Sequence, residues 1–303
     1  MKEEKGEELV DVDENGNAQT GEKEKDLKKS NFSSKILLII ILCLVVIIGL
    51  FFFLKNFKKK NQIELIVANN YDEMSLRAAK IVSDLIKKNP YAHLGLATGS
   101  TPLGLYHELI RQNKNKEISF KNIKTFNLDE YCGIPLDHSQ SYFTYMNNNL
   151  FKFIDIDLNN TYIPKGEGDL DSNIKEYEEL LAKYRIDLQL LGVGRNGHIG
   201  FNEPGTEFDI GVHIVQLANK TIKDNARFFD NDMDKVPKKA ITMGIKNIMD
   251  ADTIILMANG TYKADAIKNI MSGVVDINIP ATVLNTHKGK VYVIVDKEAA
   301  STL

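Results

Sequence analysis

From residue 62 onward, short apolar runs alternate with amphipathic stretches, and this alternation is the tightest constraint on the fold. Ile63–Val67 reads as a strand, and Met74, Ala78, Ile81, Leu85 and Ile86 recur behind it at helical spacing. Leu94–Thr98 is the next apolar run, followed by a Ser-Thr-Pro helix start at Ser100–Pro102 and a helix to Gln112. Ile123–Leu128 reads as strand, Asp171–Tyr184 as helix, Ile186–Leu191 and Thr253–Met257 as strands, Lys263–Met271 as helix and Lys290–Val295 as a final strand. The pattern predicts an α/β domain over residues 62–303, with a doubly wound, mostly parallel sheet covered on both faces. Ligands bind such a sheet outside the carboxyl ends of its strands, so the loops there are where chemistry is expected.

A different composition precedes this domain. Every residue from Ile36 to Leu54 is Ile, Leu, Val or Phe except Cys43 and Gly49. As helix, the run would be about 28 Å long, which matches a bilayer core and predicts one transmembrane helix over 36–54. No small-residue cleavage site follows it, so an uncleaved anchor fits better than a signal peptide. Residues 1–35 are charged and nearly devoid of apolar side chains, and are expected to form a disordered tail. Residues 55–61 are a basic juxtamembrane linker. Lysines stand on both sides of the apolar run, so the positive-inside rule does not orient it.

With 43% hydrophobic residues the chain as a whole is not disordered. Its 38 basic and 41 acidic residues give a net charge of -3, which offers a nucleic acid no electrostatic footprint. Two cysteines, Cys43 and Cys132, can build neither a disulfide framework nor a cysteine-ligated metal site. Nothing in the sequence signals a metal or organic cofactor.

Four strand-ending loops concentrate polar chemistry. Gly99-Ser100-Thr101 lies between a strand and a helix start, where free amides attract an anion. Simple N-capping by Ser100 or Thr101 is the plainer account of that loop alone. Lys263 opens another helix and supplies a cation for a phosphate. Gly192-Val193-Gly194-Arg195-Asn196-Gly197-His198 has the spacing of a dinucleotide fingerprint. It lacks the helix and the later acid that a dinucleotide needs, so its glycines are read as freeing the backbone for His198 to project. Asp129 closes an apolar strand, either as a proton acceptor or as a turn residue. His198 with Glu203 suggests an imidazole held by a carboxylate. Taken together, the loops describe proton transfer on a phosphorylated small molecule.

Phe126-Asn127-Leu128-Asp129-Glu130-Tyr131, the run from Gly192 to Pro204 and Arg227-Phe228-Phe229-Asp230 resemble the glucosamine-6-phosphate deaminase family, and the likeness covers residues 62–303. The resemblance implies a modified Rossmann-like fold and cofactor-free conversion of glucosamine 6-phosphate and water to fructose 6-phosphate and ammonia. It implies that His198 takes the ring-opening proton with Glu203 and Asn196 in support, and that Asp129 moves a proton from carbon 2 to carbon 1. Arg227, Lys263 and Gly99, Ser100 and Thr101 would hold the phosphate, and Thr221–Lys238 would form a helical lid. Where allosteric members carry basic residues, this chain has His213 and Val215, which implies the short type without activation by N-acetylglucosamine 6-phosphate. The implied partners are the sugar phosphate and, through the anchor, the lipid bilayer. Oligomeric state is left open, a homo-oligomer included. The catalytic domain is expected to face the cytosol, and the protein to be cytoplasmic should the anchor be an artefact of the gene start. A 6-phosphogluconolactonase, which shares the Gly-rich loop, and a membrane-tethered sugar-phosphate sensor are the competing readings.

Overall fold

The computed structural model describes residues 39–50 and 63–303. The chain divides into two compact units, Met1–Lys60 and Asn61–Leu303. In the first, residues 39–50 form helix α1 with exposed side chains, about 18 Å long against the roughly 30 Å of a bilayer core. No helix among the described residues is long and apolar enough to cross a membrane, so the span expected over 36–54 is not supported. Residues 36–38 and 51–54 of that expectation, with the tail 1–35 and the linker 55–61, lie outside the described residues.

The second unit contains β1 (Ile63–Ala68), α2 (Tyr71–Lys88), β2 (His93–Leu96), α3 (Leu103–Lys114), β3 (Lys124–Asn127), β4 (Asp129–Tyr131), α4 (Tyr142–Asn149), β5 (Thr161–Tyr162) and α5 (Leu170–Lys183). It continues with β6 (Leu188–Leu191), β7 (His213–Gln216), α6 (Asn219–Asn225), β8 (Lys239–Thr242), α7 (Ile245–Met249), β9 (Thr253–Ala258), α8 (Ala264–Met271) and β10 (Lys290–Asp296). Helix α2 shows why the periodicity was readable. Asn70 caps it by accepting the Glu73 N–H, Asp72 and Glu73 face its positive end, and Met74, Ala78, Val82 and Ile86 form the buried stripe.

Seven strands form a parallel sheet in the order β1-β10-β9-β6-β2-β3-β5. The chain winds outward one way through β2, β3 and β5 and the other way through β6, β9 and β10. The reversal falls between the neighbours β2 and β6, so the loops after these two strands flank the crevice. Interior strand β9 is buried from Ile254 to Ala258, as a strand covered on both faces must be.

A second sheet, β4-β8-β7, is antiparallel, and the strand pattern did not reveal it. The expected strand Ile123–Leu128 is divided in two. Leu128 donates its N–H to the Leu96 carbonyl in the parallel sheet and accepts the Met243 N–H at 2.7 Å beyond the antiparallel one. Asp129 therefore opens β4 instead of closing β3. The helix expected over Thr221–Lys238 is also shorter than its charge pattern suggested. It ends in a 3-10 turn at Ala226–Phe228, and Asp230 and Asn231 then take φ of 56° and 61°, which an α-helix does not tolerate.

Replacing Ile255, fully buried in β9, by alanine is expected to cost about 2–5 kcal/mol. Urea unfolding of the two proteins measures it, and a loss under 1 kcal/mol would contradict this account of the core.

Candidate active site

The loops following β2, β3, β6 and β9 line one cavity of about 800 Å³. Asp129, His198, Gly99, Ser100, Thr101, Arg227 and Lys263 all contribute to its wall, while Asn196 and Glu203 stand behind His198.

Asp129 sits at the seam between the two sheets, opposite Thr242 in the β4–β8 ladder, and is 6% exposed. Burial, reinforced by the neighbouring Glu130 charge, pushes its carboxyl up to about 8. Glu130 points elsewhere. Its oxygens accept the Tyr131 N–H at 2.9 Å and, at the start of α4, the N–H groups of Tyr142 at 2.9 Å and Phe143 at 3.0 Å. Burial raises Glu130 as well, against the pull of those three bonds. Two adjacent carboxylates thus have separate surroundings: one faces the cavity, the other anchors a helix.

The His198 loop depends on glycine. A Cβ on Gly194 would lie 2.3–2.5 Å from three atoms of the His198 ring, and Gly197 has φ of +82°. The Gly194 N–H meets the His198 carbonyl at 2.9 Å, closing the loop under the imidazole. No dinucleotide-type helix follows, since the chain turns back at the Ile199–Asn202 bridge. Asn202, fully buried, donates its amide to the carbonyls of Ile199 and Met243, both at 2.9 Å, and so delivers Glu203.

Glu203 lies 3.5 Å from His198 Nδ1, a charge contact not aligned as a hydrogen bond. It accepts from Asn196 Nδ2 at 2.7 Å, from the Thr221 hydroxyl at 2.5 Å and from the Ala218 N–H at 3.3 Å. Burial disfavours the Glu203 charge, but His198, Thr221 and Asn196 outweigh it and hold the carboxyl at about 2. Asn196 acts on His198 chiefly through this carboxylate, and its own oxygen takes the His198 backbone N–H at 3.4 Å. Thr221, from α6, is a member of the constellation that the sequence pattern did not single out. Its position 18 residues after Glu203 carried no signal.

In the loop after β2, the Gly99 carbonyl accepts the Tyr145 hydroxyl at 2.6 Å, and the Tyr71 hydroxyl is shared between the carbonyls of Ser100 and Thr101. Neither Ser100 nor Thr101 caps α3. That helix begins after Pro102 without a side-chain cap, and Thr101 instead donates to Asn259 Oδ1 at 3.0 Å. The plainer account of this loop is therefore not the one the structure shows. Lys263 is half-buried, and burial brings its ammonium down to about 8 against the opposing attraction of Asp224, with Arg227, Arg195 and Lys220 adding repulsion. Arg227 is exposed in the 3-10 turn, its guanidinium over the Phe228 ring at 4.6 Å. This end of the cavity is cationic and suited to an anion.

A family model described as glucosamine-6-phosphate isomerases/6-phosphogluconolactonase matches residues 68–293. The chain belongs to this glucosamine-6-phosphate isomerase/6-phosphogluconolactonase family. A relative named glucosamine-6-phosphate deaminase from Clostridium novyi (strain NT) is 51% identical over 243 residues, which is 80% of this chain and 100% of the relative. One of the same name from Clostridium perfringens (strain 13 / Type A) is 50% identical over 246 residues, again 80% of this chain and 100% of the relative. A solved monomeric glucosamine-6-phosphate deaminase superposes with a TM-score of 0.77 at 44% identity, covering 79% of this chain and 100% of its own. A 6-phosphogluconolactonase from Trypanosoma brucei gives 0.67 at 20% identity over 79% and 98%, a likeness of fold alone. The α/β architecture with its mostly parallel central sheet is thus that of the family.

Gly194→Ala is expected to drive the imidazole of this isomerase-family chain off its loop. Histidine 15N NMR should then show the His198 ring resonances displaced, and an unchanged spectrum would mean the loop has room that the geometry denies.

Proposed function

We propose that the protein converts glucosamine 6-phosphate and water to fructose 6-phosphate and ammonia by acid/base chemistry carried out by its own side chains. The supporting observation is that a buried carboxylate, Asp129, and a carboxylate-backed imidazole, His198, open onto one cavity with a cationic far end. The relatives at about 50% identity, all named deaminases, point the same way.

In this reading Arg227, Lys263 and the Gly99–Thr101 loop hold the phosphate, which fixes the sugar's reach into the cavity. His198 takes the proton of the anomeric hydroxyl as the ring C–O bond breaks and returns it to the ring oxygen. Glu203, oriented by Asn196 and Thr221, stabilises the imidazolium formed in between. Asp129, as carboxylate, abstracts the proton on carbon 2 and delivers it to carbon 1. The electron pair of the C–H bond becomes a C1–C2 double bond as the C1=O pair moves to O1, which takes the proton given up by the substrate ammonium, and protonation at C1 then leaves an iminium at C2. Water adds there and ammonia departs, leaving the ketone. A carboxyl raised to about 8 is a much stronger base than an exposed one, and burial beside Glu130 is its cause. Lactone hydrolysis requires no such C–H abstraction, so the same observation disfavours the lactonase reading.

Asp129→Asn is expected to cut ammonia release by about 10²-fold or more while calorimetry still detects inorganic phosphate binding. Equal turnover would remove Asp129 from this role. The base works deprotonated, so kcat/KM rises with pH through the Asp129 titration near 8. Glu130→Gln removes the charge that opposes its ionisation, and this rising limb should move to lower pH.

The chain reads as the short, unregulated type, anchored to a bilayer with its catalytic domain on the cytosolic side. Anchoring rests on the unbroken apolar composition of 36–54 alone. The full chain is expected in the carbonate-resistant membrane fraction, and a chain beginning at Gln62 in the soluble fraction with turnover kept and hyperbolic saturation. Release of the full chain by carbonate would end the anchor.

A further inference from the structure

At the cationic end of the cavity, three segments meet in a charge contact that the steps above leave unused. Arg195 stacks its guanidinium over the Tyr262 ring, 4.1 Å from the centroid, and its Nε stands 3.7 Å from Oδ2 of Asp224 in α6. Arg195, Asp224, Arg227, Tyr262 and Lys263 all line the cavity, and among the lining residues only Asp129 and Asp224 are acidic.

The two contacts of Arg195 differ in kind. Its pair with Asp224 is a single long approach between side chains 40% and 35% exposed, so water competes with it. It also lacks the paired parallel bonds that make a guanidinium–carboxylate contact firm. The stack on Tyr262 fixes the plane of the guanidinium whether or not Asp224 is present. What results is an oriented fork of donors, weakly engaged, on the same cavity wall as Lys263 and Arg227. A phosphate carries more charge than a carboxylate and accepts two parallel N–H bonds from such a fork.

We propose that Arg195 exchanges partners on binding, from the Asp224 carboxylate to the phosphate of the sugar phosphate, so that it is a third cation of the phosphate site and Asp224 its internal stand-in. The exchange also releases α6, which carries Asp224 and leads into Arg227, from the loop between β6 and β7. This rests on the phosphate end assigned above, but inorganic phosphate tests it independently of deamination.

The test measures the Kd of inorganic phosphate by calorimetry, and kcat and KM for glucosamine 6-phosphate, in the full chain and its variants. Arg195→Gln is expected to weaken phosphate and raise KM about tenfold, with kcat moving much less. Asp224→Asn should tighten phosphate several-fold, because it removes the competing anion. In the double variant that gain should vanish, leaving the Arg195→Gln value. Arg195→Lys, which keeps the charge but not the fork, should fall between. An unchanged phosphate Kd in Arg195→Gln, a weaker one in Asp224→Asn, or simple additivity in the double variant would overturn the proposal. If the phosphate pattern holds while no protein releases ammonia, the deaminase reading fails and the exchange stands.

Discussion

Leu128 joins the two sheets, and the arrangement of the cavity depends on that joint. Its N–H belongs to the ladder of one sheet and its carbonyl to the edge of the other. The next two residues are therefore carried into the interior by backbone pairing, which supplies what an isolated carboxylate in the interior cannot find for itself. Glu130 recovers its lost hydration from two amides at the head of α4 and from the N–H of its neighbour Tyr131. Asp129 does not, and the raised proton affinity of its carboxyl follows from that difference.

The imidazole is held by the opposite strategy. Around His198 the chain gives up side chains altogether at Gly194 and Gly197, and the Glu203 carboxylate stands behind its ring, 3.5 Å from Nδ1. That carboxylate is itself fixed by groups on two separate segments, Asn196 before the histidine and Thr221 on α6. Such a chain of dependence makes the site sensitive to changes well away from the reacting atoms.

Most of the parallel sheet was legible in the sequence, because strands buried on both faces are near-continuous apolar runs and the helices between them keep a strict stripe. The second sheet was not. Asp129–Tyr131 is too short to show alternation, and Asp-Glu-Tyr reads as a turn until β8 is known to lie beside it. The four loops could be picked out because glycine, hydroxyl and charged residues there have no packing purpose. Contacts made by residues with an ordinary surface composition, such as Thr221 on Glu203 or Asp224 on Arg195, left no trace, since their partners are distant in sequence. The expected cap at Ser100 or Thr101 failed for a related reason: the Thr101 hydroxyl met Asn259, 158 residues away, and bonded to it instead of to its own helix.

The three-stranded ladder has a mechanical consequence. Strand β7 runs within three residues into α6, and β8 pairs with both β7 and the strand that begins at Asp129. Arg227 and Asp129, both on the wall of the cavity, are therefore cantilevered from the same small frame. A tug on the first is borne by the rungs that hold the second, so the molecule has a stiff route by which grip at a substrate's tail can set the aim at its head.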